Sequence, residues 1–125
     1  MNSEDMKEAL PRLQHILLEI ANARQFLGNL TYREFRNDTK TVYAVIRCLE
    51  IIGEAVKKLP MPLRQKYPQI PWTKIAGMRD KLIHDYEYVD LQQVYDTVVR
   101  DLPLLEQTVI QMIADMDSSL NDVYS

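Results

Sequence analysis

Apolar residues recur every three or four positions along most of the chain, and this spacing predicts amphipathic helices. We predict four main helices, over residues 11–27, 40–59, 71–84 and 91–118. The clearest stripe lies on the second of them, at Val42, Val45, Ile46, Leu49, Ile52, Gly53 and Val56. The pattern therefore indicates an all-α fold, an up-and-down four-helix bundle with short extra helical turns.

Capping residues mark where these helices begin and end. Ser3 is a good N-cap with two acids behind it, so the first helix can begin before its firm part at residue 11. Gly28 ends that helix, since glycine readily takes the left-handed conformation of a helix C-terminus. Asp38 or Thr39 caps the second long helix, and Asp90 caps the last one.

The connections are short and carry turns of their own. A helical turn is predicted at Thr31–Arg36 and another at Leu63–Lys66, within the proline-rich connector 60–71. Tyr86–Tyr88 is predicted to bend, and Pro103 to kink the last helix. Residues 1–125 then form a single domain, whose polar tail frays from about residue 119.

Composition narrows the class of protein. The chain is 46% apolar and 26% charged, which is typical of a soluble globular domain, and its three glycines disfavour hairpins. Cys48 is the only cysteine, so an intrachain disulfide is excluded and a reducing compartment is expected. No apolar run approaches the roughly 20 residues that span a bilayer. The N-terminus, with Glu4, Asp5 and Glu8, is unlike a secretory signal. We expect a cytoplasmic protein without membrane contact.

Charge is distributed unevenly. The net charge is -3, but the segment 57–81 has only Asp80 as an acid against seven basic residues, namely Lys57, Lys58, Arg64, Lys66, Lys74, Arg79 and Lys81. This basic zone can attract a phosphate backbone despite the acidic total. The alternative is an ordinary solvated face of the bundle.

The basic zone leads into the stretch with the richest chemistry, Arg79 to Tyr86. An arginine fork can hold a phosphate, and histidine moves protons near neutral pH. On a straight helix Asp80 and His84 lie about 40° apart, so Asp80 can fix the tautomer of the imidazole. Arg79 and His84 lie about 140° apart, which suits a site shared by two copies across a two-fold axis. Alternatively, Arg79 and Asp80 form a surface pair, and His84 caps the helix C-terminus.

This stretch resembles the signature of the HepT toxins, within the HEPN superfamily of small helical ribonucleases. Arg79, four residues, His84, one residue and Tyr86 reproduce the motif. The flanking residues 71–78 and the upstream residues 47–55 agree with it, and the resemblance spans roughly residues 10 to 113.

The resemblance implies a metal-independent ribonuclease acting on RNA, tRNA included, at the interface of a homodimer. Arg79 and His84 would be its catalytic residues, with no cofactor. Asp80 would orient the histidine, and the candidate RNA contacts are Lys57, Lys58, Lys74 and Lys81. No combination of carboxylates, cysteines and histidines in the sequence argues for a metal.

The resemblance also implies a regulator. In similar proteins the motif tyrosine, here Tyr86, accepts AMP groups from MntA, a nucleotidyltransferase antitoxin. The chain would then be the toxin of a type VII toxin–antitoxin pair, silenced by bulk and negative charge at its site. A competing hypothesis is a non-catalytic dimeric helical module on which a nucleotidyltransferase docks. A nucleotide-binding sensor is disfavoured because the chain has no glycine-rich phosphate loop. We expect His15, Tyr67, Tyr88 and Tyr95 to be structural.

Overall fold

A computed structural model describes residues 3–84 and 89–124 of the chain. The described part consists of helices and their connections, without a strand, as the hydrophobic pattern predicts. Its α-helices are α1 (Ser3–Leu27), α2 (Tyr32–Arg36), α3 (Thr39–Lys57), α4 (Met61–Gln65), α5 (Trp72–His84), α6 (Leu91–Asp96) and α7 (Leu102–Tyr124). The predicted bend at Tyr86–Tyr88 lies outside the described residues.

The helix ends follow the capping residues. Gly28 has φ of 56° and donates its N–H to the carbonyl of Arg24 at 2.9 Å, which closes α1. Thr31 and Glu34 form a reciprocal capping box at the start of α2. Asp38 accepts the N–H of Thr41 at 3.1 Å and caps α3. The predicted starts of α1 and α3 are therefore confirmed to within a residue or two.

The core lies among α1, α3, α5 and α7, with α3 packed against both α1 and α5, and α7 packed against α1. The predicted stripe of α3 is buried from Val45 to Val56, Gly53 included, and Val42 is half-buried. Burying one large aliphatic side chain is worth about 1.5–3 kcal/mol, so these stripes account for most of the packing energy. The fully buried core side chains include Leu13, Ile16, Ile20, Phe35, Val45, Leu49, Ile52, Leu105, Val109 and Met112.

The last helix is interrupted just before Pro103. A π-helical segment, Thr97–Asp101, separates α6 from α7, and the N–H of Leu102 bonds the carbonyl of Thr97. A proline lacks an N–H and its ring collides with the carbonyl four residues earlier, so a widened turn provides room. The predicted kink takes this form. The predicted end near Ser118 is too early, because α7 continues to Tyr124.

The connector before α5 is anchored by two aromatic residues. Trp72 is buried and donates its indole N–H to the carbonyl of Tyr67 at 2.9 Å. The Tyr67 hydroxyl donates to Asp115 on α7 at 2.5 Å. These bonds connect the first turn of α5 to the connector, and the connector to α7. In the described ranges, no helix combines the length and the apolar character that crossing a bilayer requires.

Candidate active site

Helix α5 carries the motif. Arg79 lies in its second half and His84 is its last residue. The side chains of both residues, and the whole of Tyr86, lie outside the described residues. The backbone leaves the two interpretations of His84 open, since a helix C-terminus favours a charged imidazole and can also present one to a ligand.

The rotation of α5 about its axis is fixed by its apolar face. Trp72, Ile75 and Leu82 are buried, and α5 packs on α3. Gly77 lies on the exposed side, where an added Cβ would meet no atom within 4 Å among the described residues. Position 84 follows position 77 by two helical turns, so it falls on the same side of α5 as this open surface.

Asp80 lies beside the end of α3. One of its carboxylate oxygens is 3.9 Å from the ammonium nitrogen of Lys57, and both side chains are about half exposed. A carboxylate has enough lone pairs to accept a second donor, so the proposed hydrogen bond to His84 stays a prediction. The ion pair shows that the basic end of α3 borders the motif.

The candidate RNA contacts divide into two pairs. Lys57 contacts Asp80, and Lys58 contacts Glu54 at 3.3 Å on the polar face of α3. Lys74 and Lys81, both exposed on α5, have no carboxylate within ion-pair distance in the described part of the chain. A lysine without a carboxylate partner can bind a phosphate without first breaking an ion pair, so within a single copy Lys74 and Lys81 are the better placed candidates.

A groove of about 670 Å³ runs between α5 and the α6–π segment. Its floor is apolar, with Ile75, Met78, Leu82, Val89 and Val94. From α5 it is bordered by Lys74 and Lys81, and from the facing side by Asp90 and Asp101. The groove therefore has cations on one side and carboxylates on the other, on the open face of the motif helix.

Sequence reasoning missed Arg64, which was counted in the basic zone but not among the RNA contacts. Arg64 and Lys74 line a second hollow, at the start of α5. The sequence shows that Arg64 follows two prolines in a basic stretch, but it does not show that Arg64 lies near Lys74.

Two other titratable side chains, those of Cys48 and His15, are not candidates for catalysis. Cys48 is 2% exposed, and burial, together with the adjacent Glu19 carboxylate, raises the pKa of its thiol to about 12. His15 lies 3.7 Å from Glu19 on the surface of α1, as expected of a structural histidine. Within the described ranges, no three His, Cys, Asp or Glu side chains come together as a metal site. Metal independence itself stays a prediction.

Comparison with known proteins decides the family. Residues 16–112, which include α5 and its motif, match the family model described as Ribonuclease HepT-like. The chain belongs to this family. The resemblance drawn from the motif and its flanks is thus confirmed at the level of the HepT-like family.

Several HepT-like relatives are similar over almost their whole length. A Methanocaldococcus jannaschii protein named "Putative RNase" is 43% identical over 117 residues, 94% of each chain. One of the same name from Caldanaerobacter subterraneus is 41% identical over 108 residues, 86% of this chain and 96% of its own. A "Probable ribonuclease HepT" from Thermococcus cleftensis is 44% identical over 94 residues, 75% of this chain and 86% of its own. No solved structure matches this chain significantly.

Proposed function

We propose that this protein is a metal-independent ribonuclease and the toxin of a type VII toxin–antitoxin pair. The observation that carries the proposal is the family match over residues 16–112, with the arginine, histidine and tyrosine of the motif all present. The ribonuclease names of relatives that align along most of the chain support the activity. The open face of α5 supports access of a large substrate to position 84.

In the proposed reaction His84 takes the proton of a ribose 2′-hydroxyl, whose oxygen attacks the neighbouring phosphate. The bond from phosphorus to the 5′-oxygen of the next nucleotide breaks, and that oxygen leaves as a hydroxyl after taking a proton from the imidazolium, so that a 2′,3′-cyclic phosphate remains. Arg79 holds that phosphate and stabilises the charge that builds up in the transition state. Asp80 positions the imidazole, and the need for a 2′-hydroxyl restricts cleavage to RNA, with tRNA as a candidate substrate.

The active form is proposed to be a homodimer, because one straight helix places Arg79 and His84 about 140° apart. The charges around the groove suit this arrangement. A two-fold axis along the groove would set Lys81 of each copy against Asp101 of the other, since a two-fold interface pairs each surface with its counterpart. Lys74, at the end of the groove next to the second hollow, would stay open to RNA. Position 77, without a side chain, permits a close approach there.

Control by a partner is the remaining part of the proposal. An MntA-like nucleotidyltransferase would transfer AMP from ATP to the hydroxyl oxygen of Tyr86, two residues beyond His84, with release of pyrophosphate and the hydroxyl proton. Each AMP adds a negative charge and considerable volume next to the motif, so RNA would be excluded by repulsion and by sterics. Mass spectrometry of the protein expressed with and without its neighbouring nucleotidyltransferase would detect the modification, and Tyr86→Phe should abolish it.

Cleavage of total RNA tests the activity. We expect His84→Ala to slow cleavage by about 10²–10⁴-fold, the usual contribution of general acid–base catalysis, and a chelator to leave the wild-type rate unchanged. His15→Ala, a histidine change on the surface of α1, is the matched control and should keep the wild-type rate. Equal cleavage by wild type and His84→Ala would refute the site. Absence of cleavage together with tight binding of the nucleotidyltransferase would favour the docking module instead.

A further inference from the structure

A second hollow lies at the start of α5, separate from the groove along its open face. It has a volume of about 360 Å³ and lies between α4 and the first turn of α5. Arg64 and Gln65 of α4 line it together with Thr73 and Lys74 of α5. Two cations and two uncharged polar side chains thus border one concave site.

Arg64 lacks partners within the described residues. Its Nε atom is buried without a hydrogen-bond acceptor, so a ligand in the hollow would bond the terminal guanidinium nitrogens instead. No carboxylate there comes within 4.0 Å of the guanidinium. Lys74 on the opposite wall also has no ion-pair partner in the described ranges. The hollow therefore combines unneutralised positive charge with unused donors.

The two cations and the helix end favour an anion at the polar side of this hollow, whose other side is apolar, with Met61, Pro68, Ile70, Pro71 and Trp72. The positive end of the α5 dipole lies at this hollow, because Trp72, Thr73 and Lys74 of its first turn all line it. The planar fork of an arginine matches two oxygens of a phosphate. None of the residues that line the hollow is an aspartate or a glutamate.

We propose that this hollow binds a backbone phosphate of the RNA substrate, some nucleotides away from the linkage that is cleaved. This inference rests on the proposed ribonuclease function and adds a subsite to it. Lys74 and Pro71 line both the hollow and the long groove, so the two are contiguous. From Lys74 the chain rises about 15 Å along the helix axis to His84. The RNA would run from the hollow past Lys74 to the dimer cleft that contains His84.

Binding of an uncleavable RNA tests the subsite. A labelled oligonucleotide with 2′-O-methyl groups is titrated against the full-length protein at several salt concentrations. Arg64→Gln should weaken binding several-fold and reduce the slope of log K against log salt by about 0.7, the loss of one phosphate contact with a single strand. Arg33→Gln is the matched control, because Arg33 is exposed on α2, lies outside the basic zone 57–81 and does not line the hollow.

Equal slopes for Arg64→Gln and Arg33→Gln, or a wild-type slope for Arg64→Gln, would overturn the subsite. Lys74→Gln provides a second variant that leaves the packing of α4 untouched, and it should lose a similar part of the slope. Circular dichroism establishes that each variant is folded. Protein that binds inorganic phosphate at Arg64 but does not bind the RNA would also overturn the proposal.

Cleavage kinetics separate the subsite from the active site. Arg64→Gln should raise KM several-fold and leave kcat unchanged, whereas His84→Ala lowers kcat. Arg64-dependent binding of the methylated RNA, without cleavage of unmodified RNA, would refute the catalytic function and keep the subsite. Normal cleavage with an unchanged KM in Arg64→Gln would refute the subsite and keep the function.

Discussion

Tyr67, Asp115 and Gln111 show how a few hydrogen bonds can couple stability to pH. The Tyr67 hydroxyl and the Gln111 amide each donate to the Asp115 carboxylate, at 2.5 Å and 2.7 Å. These bonds, that from Tyr67 first, lower the pKa of Asp115 below its ordinary value. The folded pKa is below the unfolded one, so this stabilisation is present above the unfolded pKa and disappears as pH falls through the folded one.

We therefore predict that the free energy of unfolding of Asp115→Asn falls less steeply at acid pH than that of the wild type. The variant loses stability at neutral pH, where the carboxylate is charged, and less or none where the carboxylate is already protonated. Urea unfolding between neutral pH and pH about 3 measures the difference, since an aspartate titrates near 3.9 when unfolded. Asp117→Asn, also exposed on α7, is the control. The same loss at every pH would contradict the linkage.

Cys48 makes a second prediction at this scale. Its thiol is buried and its pKa is raised to about 12, so we expect the folded protein to resist alkylation by iodoacetamide. Labelling should become rapid only in denaturant, as followed by intact-mass measurement. Rapid labelling of the native protein, with loss of RNA cleavage, would indicate that the thiol is exposed and functional.

At the scale of elements, two glycines should respond in opposite ways to the same change. Gly28 ends α1 with φ of 56°, where an alanine is strained by about 1–2 kcal/mol. Gly77 lies inside α5 with open space around its Cα, so alanine there should stabilise the helix by about 0.8–1 kcal/mol. Urea midpoints of Gly28→Ala and Gly77→Ala at one low protein concentration should fall on either side of the wild type. A shift in the same direction for both would contradict this account.

The elements also show how far sequence reasoning reaches. Gly28, Asp38 and Asp90 act on their own backbone neighbours, and the helix boundaries they set were predicted. The contact of Lys57 with Asp80 joins two helices across the proline-rich connector, so no local pattern encodes it. The same holds for the hollow at Arg64. The motif itself was recognised from its residues, while the surface that surrounds it required the fold.

At the scale of the whole molecule, the feature to test is the charge around the groove, with lysines on one side and aspartates on the other. If copies pair there, Lys81→Asp should weaken the dimer because it sets acid against acid. Combining it with Asp101→Lys should restore part of the association. Sedimentation equilibrium of the single and double variants measures both steps. Lys7→Asp, near the start of α1, is a control of equal charge change and should have no effect on the dimer.

An unchanged dimer in Lys81→Asp would place the interface elsewhere on the bundle. Loss of the dimer in both single variants without recovery in the double would indicate a general loss of folding or of interface packing. Only recovery shows that the two charges face each other across the axis.

The π-helical segment ahead of Pro103 has a geometric consequence for this border. Thr97 and Asp101, which stand at its two ends, both line the groove. A π turn contains one more residue than an α turn. It therefore rotates α6 about the helix axis by about 100° relative to α7. In a regular helix, Asp90 and Val94 would be rotated about the helix axis to a different side, while α7 would pack against the core as it does now. Pro103 thus determines which residues of α6 and of the π-helical segment face the groove.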